Sequence, residues 1–252
     1  MNNRTLLWIR LVVLILSFVA VLAAAVVAVS GGKFSVSLIG DGKLAAEASF
    51  SDVTDIAVES RTCAVEITAG TGPDVVARYY TGGLLPAETP VWEQAGGTLR
   101  ITTAKGNFLS GGRLVLEVPE DSALDYQLDS VSGSIKVYVG GSALTVQCTT
   151  GSVKVYKPFQ SLDVETTTGS VKVTADGSTA RCQLESTTGS IKLALEDVAG
   201  YTLTAETTTS SVKDEYNGLS YERSVSGAVW GDGNLAVEAE STTGSIKLAD
   251  WK

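Results

Sequence analysis

The sequence predicts an all-β chain: a β-solenoid-like stack of strand–corner–strand repeats of about 18–21 residues, preceded by one N-terminal transmembrane helix. Three observations carry that reading. A Ser/Thr-Gly-Ser-Ile/Val-Lys pattern recurs through the second half, apolar and polar residues alternate strictly on both sides of each recurrence, and a run of 19 uncharged residues stands near the start.

The first element is the apolar run, Leu11 to Val29, which follows Arg4 and Arg10. As a helix it would span roughly 28 Å at 1.5 Å per residue, close to the hydrocarbon thickness of a bilayer. Both basic residues precede it, so the positive-inside rule places the N-terminus in the cytoplasm and the rest of the chain outside. Ala28-Val29-Ser30 offers small residues for a signal-peptide cleavage, but signal h-regions usually run about 7–15 residues. A single-pass membrane anchor is therefore expected over 1–30, with a stalk over 31–50 that holds one weak strand.

Residues 51–123 read as a β part without the repeat. Ile56/Val58 and Val65/Ile67 alternate as two short strands, and Val75–Tyr79, Thr98–Thr102 and Leu114–Val118 as three more. Pro119 stops the last of these from continuing as a central strand, because proline cannot donate to the ladder.

Residues 124–252 form the repeat. Ser132-Gly133-Ser134-Ile135-Lys136-Val137 returns as Thr150-Gly151-Ser152-Val153-Lys154-Val155 and Thr168-Gly169-Ser170-Val171-Lys172-Val173. Thr188-Gly189-Ser190-Ile191-Lys192-Leu193, a degenerate Thr209-Ser210-Ser211-Val212-Lys213-Asp214, and Thr243-Gly244-Ser245-Ile246-Lys247-Leu248 follow. The corner positions are 18, 18, 20, 21 and 34 residues apart. A period near 20 means stacked units, each burying its apolar face on its neighbours.

Seven and five residues before each corner stand apolar pairs such as Leu144/Val146, Leu162/Val164, Cys182/Leu184, Leu203/Ala205 and Val237/Ala239. Four residues before it stand Asp129, Gln147, Glu165, Glu185, Glu206 and Glu240, and three after it a lysine in all six units. Such period-2 alternation marks half-buried strands, and the glycine supplies the backbone freedom of a sharp corner. A solenoid would stack the lysines in one outward column and the carboxylates in another on a different face, whereas a meander of hairpins would bring them closer together. The single glycine corner favours the solenoid. The stretch 214–236 interrupts the repeat and reads as an extended hairpin or capping lobe.

The composition narrows the function. The 252 residues contain no histidine, which excludes histidine-based triads, histidine zinc ligands and a histidine general base. The formal net charge is −9, and the chain beyond residue 30 carries 17 basic against 28 acidic residues, or −11. Such a surface repels nucleic acid. Cys63, Cys148 and Cys182 are scattered without CxxC spacing and read as small buried packing residues. No cofactor or metal is expected.

Leu114-Val115-Leu116-Glu117-Val118-Pro119, then Leu128-Asp129-Ser130-Val131-Ser132-Gly133-Ser134-Ile135-Lys136-Val137, resembles the bacterial putative-adhesin domain of unknown function. Gly231-Asp232-Gly233-Asn234-Leu235 leading into the last repeat is similar to that family's C-terminal pattern. The resemblance covers roughly residues 51–252. It implies a cell-surface, β-solenoid-like domain, often behind a transmembrane segment, and some of the family's members are linked to envelope-stress responses. Where the family often has aspartate after the glycine, this chain has Ser134, Ser152, Ser170, Ser190, Ser211 and Ser245. That replaces the oxygen-rich column a calcium site would use.

Lys136, Lys154, Lys172, Lys192, Lys213 and Lys247 are the candidate polyanion-binding ladder, set against the alternative of a solvated face that discourages edge pairing. The acidic column has the spacing of paired glycosidase carboxylates but no desolvated pocket, and reads as a surface ladder. Tyr216, Tyr221 and Trp230 are a candidate aromatic contact surface for sugars or the small core of a cap. Gly40-Asp41-Gly42 and Gly231-Asp232-Gly233 read as hairpin turns. The expected function is a non-enzymatic, extracytoplasmic surface module engaging a cell-wall polymer or a membrane protein. An envelope-stress component acting through such a protein partner is the alternative, and a polysaccharide-active β-helix enzyme is a weaker one.

Overall fold

The computed structural model describes residues 42–82, 89–103, 112–120 and 122–250. Every regular element among them is a β-strand. The apolar run Leu11 to Val29 lies outside the described residues, and among those described no helix is long and apolar enough to cross a membrane.

In chain order the strands of the first part are β1 (Lys43–Phe50), β2 (Asp55–Ser60), β3 (Cys63–Gly70), β4 (Val75–Thr81), β5 (Val91–Ala95), β6 (Thr98–Thr102) and β7 (Gly112–Pro119). The expected strands fall on β2, β3, β4, β6 and β7, and β7 ends at Pro119. The repeats follow as β8 (Asp125–Ser132), β9 (Ile135–Val137), β10 (Gly141–Thr150), β11 (Val153–Val155), β12 (Phe159–Thr168) and β13 (Val171–Asp176). Then come β14 (Arg181–Thr188), β15 (Ile191–Glu196), β16 (Gly200–Thr207), β17 (Val212–Asp214), β18 (Leu219–Tyr221), β19 (Ser224–Gly231), β20 (Leu235–Thr243) and β21 (Ile246–Asp250).

Each repeat sends its first strand to one sheet and its second to another. The lysine sheet runs β1-β4-β7-β3-β9-β11-β13-β15-β21-β17-β18, and the acidic sheet β19-β16-β20-β14-β12-β10-β8-β2-β6-β5. Neighbours from β7 to β17 and from β16 to β6 are parallel, as stacked coils require. The solenoid expectation holds, and it extends into residues 51–123: β2/β3 and β6/β7 are coils of the same stack. Antiparallel strands finish both ends, β1, β4 and β5 at one and β18 and β19 at the other. They cover parallel edges that would otherwise present unpaired backbone groups.

The inward positions of both sheets meet in one core. Leu144, Leu162, Cys182 and Leu203 from the acidic sheet, and Val153, Val171, Ile191 and Ile246 from the lysine sheet, are all at most 1% exposed. Roughly 25 cal/mol per Å² of apolar surface removed from water makes this stacking the dominant stabilising term. All three cysteines are free and buried in this core.

The corners are as tight as their glycines imply. Gly133, Gly151, Gly169 and Gly189 have φ between +150° and +156°. Their backbone N–H groups donate to Thr150, Thr168, Thr188 and Thr243 carbonyls of the adjacent coil at 2.9–3.0 Å, so the ladder continues around the bend.

The stack does not follow chain order at either end. Coil β2/β3 lies between β6/β7 and β8/β9, and coil β20/β21 lies between β14/β15 and β16/β17. The segment between β17 and β20 leaves the stack, lays β18 and β19 antiparallel on the end coil, and returns to insert the last coil one position inside. This corrects one expectation: Gly231-Asp232-Gly233 is no hairpin turn, because β19 and β20 do not pair and have β16 between them. The loop steps across the start of β16, where Gly200 leaves room; a Cβ there would lie 2.2 Å from the Asp232 nitrogen.

The end coil also explains the degenerate repeat. Ser210 stands where the other corners have glycine, and it has no positive φ. Asp214 occupies a position that elsewhere holds valine or leucine, and is 2% exposed. It accepts a hydrogen bond from the Tyr201 hydroxyl at 2.6 Å, and others from the Asn217 backbone and side-chain N–H groups at 3.2 and 3.1 Å.

Candidate functional site

The parallel register puts Lys136, Lys154, Lys172, Lys192, Lys247 and Lys213 side by side on six successive strands, β9 through β17. Alternation points them outward while Ile135/Val137 and their equivalents fill the core. Five steps of about 4.8 Å give a cationic line of roughly 24 Å. Like charges directly opposite one another disfavour a sheet, so the arrangement is not explained by strand pairing.

One carboxylate of the chain already sits on this line. Glu215, just past β17, takes an ion pair from Lys247 with Nζ and Oε2 2.6 Å apart. That hydrogen bond, joined by the positive charges of Lys247, Lys213 and Lys192, holds the Glu215 carboxyl below its ordinary value. At the other end Glu66 of β3 lies opposite Lys136. Beside Lys136 and Lys154 on the same outer face, the rings of Tyr138 and Tyr156 stack with centroids 4.6 Å apart.

The acidic sheet carries the opposite column. Glu59, Asp129, Gln147, Glu165, Glu185, Glu240 and Glu206 are consecutive partners across seven strands. Arg100 pairs with Glu59 at 2.6 Å at one end. Among the described residues no basic side chain is within ion-pair distance of Glu165, Glu185, Glu240 or Glu206. An open groove of about 610 Å³ includes part of the column, with Glu59, Asp129 and Glu165 among its lining residues beside Thr149 and Thr167. It is a surface furrow rather than a desolvated cleft.

The candidate aromatic residues belong to the cap. Tyr216 packs edge-on against Trp230 at 5.1 Å and against Tyr201 at 6.1 Å, and the Tyr216 hydroxyl donates to the Val198 carbonyl at 3.4 Å. Tyr221 is half-buried in β18, and Trp230 is 38% exposed at the edge.

Three features stand outside the sequence reading: the Tyr138/Tyr156 stack, Glu215, and a column of small buried polar residues three positions before each corner. That column is Ser130, Cys148, Thr166, Ser186, Ser241 and Thr207. Ser186 and Ser241 donate to the Gly169 and Gly189 carbonyls at 3.2 and 3.1 Å, and Thr207 to the Gly244 carbonyl at 2.8 Å. The signal was present as a position that only serine, threonine or cysteine occupies.

No curated protein matches the chain. Among solved structures it is similar to a putative cell adhesion protein from Clostridium sporogenes, at 14% identity and a TM-score of 0.48, covering 83% of this chain and 100% of that one. A putative adhesin from Parabacteroides distasonis matches at 12% identity and a TM-score of 0.45, covering 83% and 98%. One from Bacteroides fragilis matches at 13% and 0.36, covering 82% and 97%. The family model for Toastrack DUF4097 matches residues 53–249, a span that in chain order runs from β2 into β21 and takes in every coil, and the chain belongs to that family.

Proposed function

We propose that this protein is a non-enzymatic binding module of the cell envelope, held outside the cytoplasm behind its N-terminal apolar segment. The lysine ladder is its binding face, and a linear polyanion of the wall, teichoic-acid-like or an acidic polysaccharide, is its ligand. The observation that supports this most is Glu215 on Lys247: a carboxylate seats on the ladder with direct charge-assisted contact. A polymer with regularly spaced anionic groups repeats that contact along the line, and multivalency raises avidity without new chemistry.

The test is binding of the full-length chain to purified wall polymers and whole envelopes, compared with a form in which all six ladder lysines are glutamine. Salt-sensitive binding that the glutamine form loses is the expected result. Equal binding by both forms, or none by either, rejects the ladder as the binding face and directs attention to a membrane protein partner.

A further inference from the structure

The two charged columns belong to the same coils. Lys154 and Gln147, Lys172 and Glu165, Lys192 and Glu185, Lys247 and Glu240, and Lys213 and Glu206 each share one strand–corner–strand unit. Both columns therefore advance by the same step of about 4.8 Å, in the same strand order, on the outer faces of two sheets packed against each other. Each column stacks like charges, and among the described residues no basic side chain forms an ion pair with Glu165, Glu185, Glu240 or Glu206. The carboxylate column is itself a linear polyanion, cut to the pitch of the lysine ladder.

We infer that copies of this chain associate side by side with parallel axes, the lysine ladder of one seated against the Glu165–Glu185–Glu240–Glu206 ladder of the next. Matching pitch lets the four carboxylate-bearing coils pair at once, and each pairing relieves repulsion within both columns. The two faces are different surfaces of one molecule, so the contact is heterologous and does not close on itself. Rows rather than dimers are the product. Surface ion pairs are individually weak, so the rows form where copies are concentrated and salt is low.

Sedimentation velocity of the full-length chain in a non-ionic detergent tests this with two charge-reversal forms. One carries Lys154→Glu, Lys192→Glu and Lys213→Glu, the other Glu165→Lys, Glu185→Lys and Glu240→Lys. The wild type is expected to form concentration-dependent oligomers at low salt that dissociate at high salt. Each reversal form alone stays monomeric, and their equimolar mixture associates again, since each offers the charge the other lacks. A folded wild type that stays monomeric at low salt, or folded reversal forms whose mixture stays monomeric, overturns the inference.

Should a reversal form not fold, Lys154→Gln/Lys192→Gln and Glu165→Gln/Glu185→Gln replace them, with an expected loss of about tenfold in association each. Unchanged association in either overturns the inference equally. The glutamate-to-glutamine form also separates this contact from wall-polymer binding: it loses self-association and keeps the polymer, whereas the lysine-to-glutamine form loses both.

Discussion

A Cβ placed on Gly189 would stand 1.9 Å from the carbonyl oxygen of Gly169. The same contact recurs down the corner: Gly169 meets the Gly151 carbonyl at 1.9 Å and Gly151 the Gly133 carbonyl at 2.1 Å. The obstacle is backbone, held by the ladder bonds of the next coil, and φ at Gly189 is +150°. Gly189→Ala is expected to cost about 2–4 kcal/mol, near the upper end of single substitutions. Gly177→Ala, in an exposed turn where the nearest atom is 3.4 Å away, is expected to change stability by less than about 0.5 kcal/mol. Urea titration of both variants checks the contrast.

The Tyr201 hydroxyl donates a buried hydrogen bond to the Asp214 carboxylate at the end coil. Tyr201→Phe leaves Asp214 short of a donor and is expected to cost about 1–3 kcal/mol. Adding Asp214→Leu, which restores the apolar residue of the other coils, is expected to recover most of that loss. A double-mutant cycle reads the coupling, and additive losses would show that the pair is not the unit acting here.

The cysteines divide by column. Cys182 lies between Leu162 and Val237 of the neighbouring strands in the apolar core, and burial pushes its thiol up to about 12. Cys182→Ser places a hydroxyl there without a partner, at an expected cost of about 1–3 kcal/mol. Cys148 sits in the small polar column, its thiol 3.7 Å from the Gly133 carbonyl. Cys148→Ser reproduces the serine bonds seen at Ser186 and Ser241 and is expected to stay within about 1 kcal/mol of the wild type. The raised thiol adds a pH dependence. Stability that comes from keeping Cys182 neutral is fully present below its ordinary value of 9.0 and is lost as pH rises toward about 12. Thermal melts over that range, in wild type and Cys182→Val, isolate the contribution.

Glu215 gives the opposite sign. Its carboxyl is held below the ordinary 4.5 by Lys247 first and then by the charges of Lys213 and Lys192. The stabilisation it contributes is present above about pH 4.5 and disappears as pH falls through the lowered value. Lys247→Gln is expected to move the Glu215 titration back toward 4.5, read by NMR on the labelled side chain. An unmoved titration would separate Glu215 from the ladder's field.

The inserted last coil predicts an unusual response to truncation. Removing the end coil of an ordinary solenoid frays one edge. Here a chain ending at residue 234 loses β20 and β21, each bonded on both sides, and leaves β14 and β16 without the strand between them. Loss of the cooperative transition is expected by circular dichroism and limited proteolysis. A native-like melt from that chain would contradict the observed order of coils.

The sequence by itself determined the strands, the corners and the two charged columns. Alternation fixes which side of each strand is buried, and an identical corner in each coil forces equivalent residues into register, so Lys136 through Lys213 had to align once the units stacked. It also carried Cys63, Cys148 and Cys182 as buried packing residues. Only the tertiary structure decided the order of the coils. Nothing local to Leu235–Asp250 says that it lies inside Gly200–Asp214 rather than beyond it, because both coils offer the same pattern to a neighbour. The choice rests on non-local pairings: Tyr201 needs Asp214 at the end coil, Tyr216 and Trp230 need the cap beside it, and Gly200 must leave room for the returning chain. Glu215 was unreadable for the same reason. Its place on the lysine ladder exists only because Lys247, 32 residues later in the chain, is folded back beside it.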